Sequence, residues 1–380
     1  MLSESEQANQ AILFDSLPLA NDKSLGIITL NSESTLNALS LAMIEPMMSQ
    51  LRAWEADPKI VAILLQSAGD KAFSAGGDIQ SLYHWIQSYL QNNDKDSLKQ
   101  AEGFFQREYE LDFYLHNYPK PIITWGHGII MGGGFGIYSG CRFRIVTEST
   151  RIAMPEVAIA FFPDVGASYY LNRIKNNAGR FLALTGSTLN AADGLAAGVA
   201  DCFLLSNHKE TLIQALQQQA WVDDNQENTQ IIQQLLHRFG KQRTAELPTS
   251  NLSRYEEEIN RLAAASSLLE FSESINAITD DQAWFTRARD NFRYSSPLAL
   301  QWTDRHLALC QGLEYEQVLQ KDLVLAVNII RGSEFVEGIR ARVIDKDQKP
   351  NWRYKDIEKV PPEEVNAMFV QPWTENPLRI

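Results

Sequence analysis

The sequence predicts an α/β fold with a largely parallel core sheet, followed by a helical C-terminal region. Three observations predict it. Strand-like and helix-like segments alternate through the first half of the 380 residues. One of those strands, IVAILLQSA, is continuously apolar and rich in β-branched residues, as a strand covered on both faces is. Beyond about Asp201 strand signals stop and helical periodicity takes over.

Taken in order, LGIITLN reads as the first clear strand. Ser40 then stands where a helix cap belongs, before LAMIEPMMSQLRAWEAD. In that run Met43, Met47, Leu51 and Trp54 recur at three- and four-residue spacing, which predicts one buried helical face. IVAILLQSA follows as a strand and KAFSAGGDI as strand and turn. A second helical run ends near Tyr118. PIITWGHGI and FRIVTE are further strands. Strand and helix in this alternation form βαβ units, and such units make parallel sheets. Later stretches such as DNQENTQIIQQLLHRF are Gln-rich, but Leu and Ile recur in them at helical spacing, so they read as helices with solvated faces. The tail VIDKDQKPNWRYKDIEKVPPEEV is charged and contains Pro, and is expected to wrap the surface. The expected organisation is a core over residues 1–200, a helical region over 201–342 and a tail over 343–380.

Composition bounds the function. With 44% hydrophobic and 21% charged residues the chain is of ordinary globular type. Cys141, Cys202 and Cys310 are far apart and odd in number, and no CxxC pair occurs. Neither a disulfide framework nor a metal site is expected, and the thiols read as small buried hydrophobes. A net charge of −13 without any Lys/Arg block argues against a nucleic-acid partner. The start, MLSESEQANQ, is acidic and polar, unlike a secretory or transit peptide, which points to the cytoplasm. The uncharged run PIITWGHGIIMGGGFGIYSG has the length of a membrane span, yet its 7 glycines and one histidine read as strand, turn and buried helix. No membrane partner is expected.

Two glycine clusters fail as phosphate loops: the chain has no GxGxxG and no GxxxxGK[ST], and it also lacks a GxSxG elbow. In FSAGGDI the glycines end a strand. In MGGGFGIYSG they open a helix, whose first N–H groups have no partner and lie at the positive end of its dipole. Two such N–H groups from separate loops would make an oxyanion hole. The plainer alternative is that the glycines only allow tight turns and close packing. Both clusters follow apolar strands, whose carboxyl ends are where such sheets place ligands.

KAFSAGGDI, HGIIMGGGFGI and AMPEVAIAFFPDVGASYYL, in this order and spacing, resemble the enoyl-CoA hydratase/isomerase (crotonase) superfamily. The branch they resemble most is that of 3-hydroxyisobutyryl-CoA hydrolases. NALSLAMI, FFQREY and EFVEGIRARVIDKDQKPNW extend the likeness over nearly the whole chain. The resemblance implies a spiral of ββα units and an acyl-CoA thioester substrate. It implies oxyanion-hole amides at Gly77 and Gly133, with Ala38, Ala75, Gly76 and Asp78 along the CoA. It makes Glu156 the catalytic glutamate, Asp164 the acid particular to the hydrolases and Glu108 a substrate contact. The hydratases carry a second catalytic glutamate where this chain has Gly136, so the pattern favours hydrolysis of a 3-hydroxyacyl-CoA, as in valine catabolism, over hydration. An enoyl-CoA hydratase or isomerase and a non-catalytic acyl-CoA-binding protein are the rivals. No separate cofactor is expected, because CoA is part of the substrate. A homo-oligomer, a trimer or hexamer, is implied by the family.

Each acid has a structural alternative. Glu156 follows Pro155 and suits the first turn of a helix. Asp164 suits the N-cap of a helix VGASYYLNRI. Glu108 suits a solvated helix face. His127, between two glycines, reads better as a structural hydrogen-bonding group than as a base, since no Ser or Cys nucleophile motif accompanies it.

Overall fold

The computed structural model describes residues 10–241, 246–279 and 282–380. Two compact units interleave along the chain. The first takes the chain up to Gly77, then Leu111–Ile152 and Leu189–Asn251; the second takes Asp78–Glu110, Ala153–Thr188 and Leu252–Ile380.

The first unit holds two sheets. One has 6 strands in the order β1 (Ile12–Pro18), β2 (Ser24–Leu30), β3 (Ile60–Ser67), β5 (Ile122–Gly126), β7 (Phe143–Val146) and β9 (Cys202–Phe203). β1 pairs antiparallel with β2, and every later pair is parallel, as the βαβ alternation predicts. β3 is buried at all but one position, because both sheet faces are covered. Adjacent residues of β2 show the two faces. Leu25 joins a core with Trp125, Ile145, Leu212, Trp221 and Leu235, which brings the helices Lys209–Gln217 and Asn225–Lys241 onto one side. Gly26 points the other way, under the ring of Trp54 from the helix Leu41–Ala56. Met43, Met47, Leu51 and Trp54 of that helix are all buried, as their spacing predicts; Ser40 sits at its N-cap without a side-chain cap bond.

The second sheet has 3 strands, β4 (Ala72–Ser74), β6 (Ile129–Met131) and β8 (Arg151–Ala153). The run Pro121–Gly140 folds as β5, a turn, β6 and a buried helix Gly133–Ser139. Among the described residues no helix is long and apolar enough to cross a membrane.

The second unit is helical. Its main elements are Ile79–Asn92, the Lys95–Glu110 part of the helix Lys95–His116, Ala178–Thr185, Ala283–Tyr294, Pro297–Leu309 and Tyr315–Ile329. After β9 every described element of the chain is a helix or helical turn, which matches the loss of strand signals near Asp201. In this unit Phe161 is stacked between Phe105 and Phe335, at centroid distances of 5.4 and 4.6 Å. The phenylalanines of FFPDV are therefore core residues, and they anchor the loop that follows them.

Candidate active site

Three acids in the second unit are buried together: Glu108 is 2% exposed, Glu156 7% and Asp164 5%. Each arrives there for a local reason. On its helix Glu108 follows Ala101, Phe104 and Phe105 at three- and four-residue spacing, all of them buried. It thus lies on the apolar stripe of the helix, and the solvated-face alternative fails. Glu156 opens a short 3-10 turn, Glu156–Ile159, capped by Pro155, and this turn directs it inward with Val157.

Asp164 is not an N-cap. The following helix is only Ala167–Leu171, and Gly166 caps it. Between them Val165 has φ 51° and Gly166 φ 74°. A β-branched residue rarely adopts a left-handed backbone, so ordinary helix-start signals do not describe this turn. The carbonyl of Asp164 accepts from Ala167 N–H at 2.8 Å. Its carboxyl oxygen Oδ2 accepts from the hydroxyl of Tyr109 at 2.7 Å.

The electrostatics follow from burial. Glu156 is held well above the usual carboxylate range by burial and by the neighbouring Asp164; its own backbone N–H works the other way, and Glu108 adds to the rise. Glu108 is raised well above its ordinary value by burial and by Asp164. Asp164 is pushed up to about 7 by burial, with the Tyr109 hydrogen bond pulling it down and Asp322 pushing it up. One carboxyl oxygen of Glu108 and one of Glu156 are buried without a hydrogen-bond partner. Buried carboxyl oxygens left unpaired are costly and mark a place that a ligand or water would fill. Such a cluster resists carrying three charges at once, so its members are available for proton transfer and for hydrogen bonds to a polar group. Among the described residues no group of His, Cys, Asp and Glu is arranged to hold a metal ion.

The glycine loops lie in the first unit. Leu39 N–H donates to Gly76 C=O at 2.7 Å and Ala75 N–H to Leu36 C=O at 3.0 Å, so the Ala38 backbone and the Ala75–Gly77 backbone run as a zipped pair. A Cβ on Gly76 would lie 3.8 Å from the amide nitrogen of Gly133. The two glycine clusters are therefore neighbours, although 56 residue numbers separate Gly77 from Gly133. Gly134 makes this approach possible: a Cβ there would be 2.5 Å from Ser74 C=O. Asp78 is occupied structurally, its Oδ1 accepting from Ser81 N–H at 3.1 Å as the N-cap of Ile79–Asn92. His127 Nε2 bonds Gly69 C=O at 2.8 Å, the structural role expected of it. All three cysteines are free and buried.

Sequence reasoning did not single out Tyr109, the partner of Asp164. Its position next to Glu108, on the buried edge of the same helix, was the available signal. A groove of about 950 Å³ in the second unit, lined by residues such as Arg305, Lys321 and Phe369, contains none of the three acids.

A model of the enoyl-CoA hydratase/isomerase family matches residues 25–369. A mitochondrial 3-hydroxyisobutyryl-CoA hydrolase of Gallus gallus is 35% identical over 356 residues, which is 93% of this chain and 88% of that protein. The Homo sapiens protein of the same name is 35% identical over 345 residues, 90% of this chain and 86% of its own length. Among solved structures, one described as an enoyl-CoA hydratase from Rhodobacter sphaeroides matches with a TM-score of 0.81 and 31% identity, over 95% of this chain and 98% of that one. One described as a carnitinyl-CoA dehydratase from Mycobacterium thermoresistibile matches with a TM-score of 0.80 and 27% identity, over 97% and 99%.

Proposed function

The chain belongs to the enoyl-CoA hydratase/isomerase family, and on that premise we propose that it hydrolyses a short 3-hydroxyacyl-CoA thioester, 3-hydroxyisobutyryl-CoA before others. The observation that carries this reading is the buried trio Glu108, Glu156 and Asp164, with Asp164 held by Tyr109. The relatives named as 3-hydroxyisobutyryl-CoA hydrolases support it.

On this reading the thioester oxygen takes the amide hydrogens of Gly77 and Gly133. These donors stabilise the negative charge that grows on the oxygen as the carbonyl carbon is attacked, and one such donor contributes about 2.7–4 kcal/mol. Ala38, Ala75, Gly76 and Asp78 provide the backbone along the CoA. Glu156 is the reacting carboxylate. It attacks the carbonyl carbon, expels the CoA thiolate and leaves a mixed anhydride that water cleaves, or it takes the proton of a water that attacks directly. Either course consumes one water and yields the hydroxy acid and CoA. Burial makes the ionised Glu156 poorly solvated and hence a better base or nucleophile than an exposed glutamate. Asp164 and Glu108 hold the β-hydroxyl of the acyl group. Polar groups buried there bond a substrate hydroxyl and disfavour acyl groups that lack one. No cofactor beyond the CoA of the substrate enters these steps.

The rival reading is hydration of an enoyl-CoA, the activity in the description of the Rhodobacter protein. Gly136 opposes it: the resemblance puts the second hydratase glutamate at that position, and here it is a glycine inside the buried helix Gly133–Ser139. A single assay separates the readings. Purified protein is given 3-hydroxyisobutyryl-CoA, 3-hydroxypropionyl-CoA and crotonyl-CoA, while free thiol and enoyl absorbance are followed together. Thiol release from the 3-hydroxyacyl thioesters without loss of enoyl absorbance is expected. If no 3-hydroxyacyl thioester releases thiol, the hydrolase reading is wrong. The family likeness further makes a trimer or a pair of trimers the assembly to look for by light scattering.

A further inference from the structure

Asp322 and His306 are the most deeply buried ionisable pair among the described residues outside the three acids, at 0% and 1% exposure of their side chains. Nothing in the proposed reaction uses them. They come from two helices, Tyr315–Ile329 and Pro297–Leu309, and meet at 2.6 Å between His306 Nε2 and Asp322 Oδ1. The second carboxyl oxygen, Oδ2, accepts from the backbone N–H of Gly166 at 2.8 Å.

Gly166 is the residue after Val165, and Val165 directly follows Asp164. Both Val165 and Gly166 are left-handed, and a β-branched residue is strained in that region and persists there only where its surroundings enforce it. Two contacts from one helix enforce it here. Asp322 takes the Gly166 N–H, and the Tyr315 hydroxyl donates to Val165 C=O at 3.3 Å. Gly166 allows this closeness, since a Cβ there would be 2.1 Å from the Tyr315 ring.

We propose that Asp322, held in place by His306, is a positioning residue for the reaction: its carboxylate clamps the Gly166 amide, keeps the Val165–Gly166 turn left-handed and so fixes Asp164 against Tyr109. The proposal rests on the reading that Asp164 serves the acyl group. The charge state of the pair fits a clamp. Burial opposes a charge on His306, but Cys310 and Asp322 outweigh it and raise His306 to about 10. Burial raises Asp322 while His306 pulls it down. The Gly166 N–H aimed at Asp322 Oδ2 adds to His306 in favouring the carboxylate against burial.

The clamp also acts on Asp164 by charge. The ionisable groups around Asp164 are Tyr109 and Glu108 from one helix, Glu156 from its turn, and Asp322 and His306 from the two helices behind. Asp322 opposes the ionisation of Asp164 more than His306 favours it. Removing the Asp322 charge therefore eases the ionisation of Asp164.

Asp322→Ala and Asp322→Asn distinguish a clamp from a merely structural pair. Both are compared with wild type in kcat and KM for 3-hydroxyisobutyryl-CoA. The carboxyl ¹³C resonance of Asp164, assigned with Asp164→Asn, is titrated alongside. Asp322→Ala is expected to lower kcat roughly 10- to 100-fold with KM within about twofold, as loss of alignment does. Asp322→Asn keeps an acceptor for Gly166 N–H, so kcat should recover toward wild type while the Asp164 titration moves to lower pH. Wild-type kcat in Asp322→Ala, or an Asp164 titration unmoved in Asp322→Asn, overturns the proposal. Should Asp322→Ala not fold, the amide proton of Gly166 decides: in Asp322→Asn it should move upfield as a charge-assisted hydrogen bond becomes a neutral one, and an unmoved resonance overturns the clamp. A wild type that cleaves no 3-hydroxyacyl thioester sinks the hydrolase reading instead, and the Gly166 amide resonance still judges the clamp.

Discussion

At the scale of single residues, Glu156 is the position where sequence and structure bear most directly on chemistry. It is buried, one of its carboxyl oxygens has no hydrogen-bond partner, and two other acids press on its proton. Glu156→Gln keeps the shape and removes the carboxylate proposed to act as nucleophile or as base. Turnover should fall by at least the 10²–10⁴-fold typical of a lost acid–base group, while the KM for the thioester changes little. Steady-state kinetics with thiol detection checks this, and unchanged turnover would remove Glu156 from the mechanism. The three acids were legible because a lone carboxylate in an apolar run is costly without a purpose. The same signal marks Asp322 in KDLVLAVNII. It passed unused, because no motif pointed to it and its partner His306 lies 16 residues away in sequence. Tyr109 offered only its place beside Glu108 as a signal, and a tyrosine on a buried helix face looks the same whether its hydroxyl is idle or bonded to an acid.

At the scale of elements, the sequence located β2, β3, β4, β5 and β7 and the long amphipathic helices, but it missed β1, β8 and β9. It misplaced the start of the helix after Asp164. The apolar run VGASYYL suggested an N-cap at Asp164, but the chain makes two left-handed residues first and caps at Gly166. Propensity rules cannot foresee Val165 in that conformation, since tertiary contacts from Asp322 and Tyr315 impose it. The glycine helix Gly133–Ser139 was legible as buried, and close packing was one of the readings its glycines allowed, but the contact they serve was not legible. Gly134 is the contact point with β4, where a methyl group would sit 2.5 Å from Ser74 C=O and 2.8 Å from Ser74 Oγ. The first of these atoms is backbone and cannot swing aside. Gly134→Ala should therefore push the helix from the strand and separate the Gly76 and Gly133 backbones. We expect a loss of about 1–3 kcal/mol in stability, as for overpacked cores, and a fall in kcat larger than that of a surface Gly→Ala control such as Gly312→Ala, around which a Cβ has open space although its φ of 73° favours glycine. Denaturant melts paired with thiol-release kinetics read both effects. Normal stability and normal kcat in Gly134→Ala would mean that the helix has slack.

At the scale of the molecule, each compact unit is assembled from separate stretches of chain, so the three acids reach one place from positions 108, 156 and 164 only through folding. Their pKa shifts then become a property of global stability. In the unfolded chain Asp164 ionises near the ordinary 3.8, whereas in the fold it is pushed up to about 7. Between those values the folded state holds a proton that the unfolded state has released, so stability falls as pH rises through this window and levels off above it. Glu108 and Glu156 are raised in the same direction and reinforce the trend. Asp164→Asn removes one of these penalties and keeps an amide oxygen for the Tyr109 hydroxyl. At mildly alkaline pH the variant should be more stable than wild type by on the order of 1–4 kcal/mol, the scale of a shift of up to three units shared within a coupled group. At acidic pH, where wild-type Asp164 is protonated in both states, the difference should vanish. Urea melts of the two proteins at both pH values supply the measurement. A gain that persists at acidic pH would point to packing rather than ionisation, and no gain at alkaline pH would show that the acids are not destabilising. A gain confined to alkaline pH, together with lost turnover, is the pattern of a site that sacrifices stability for reactivity.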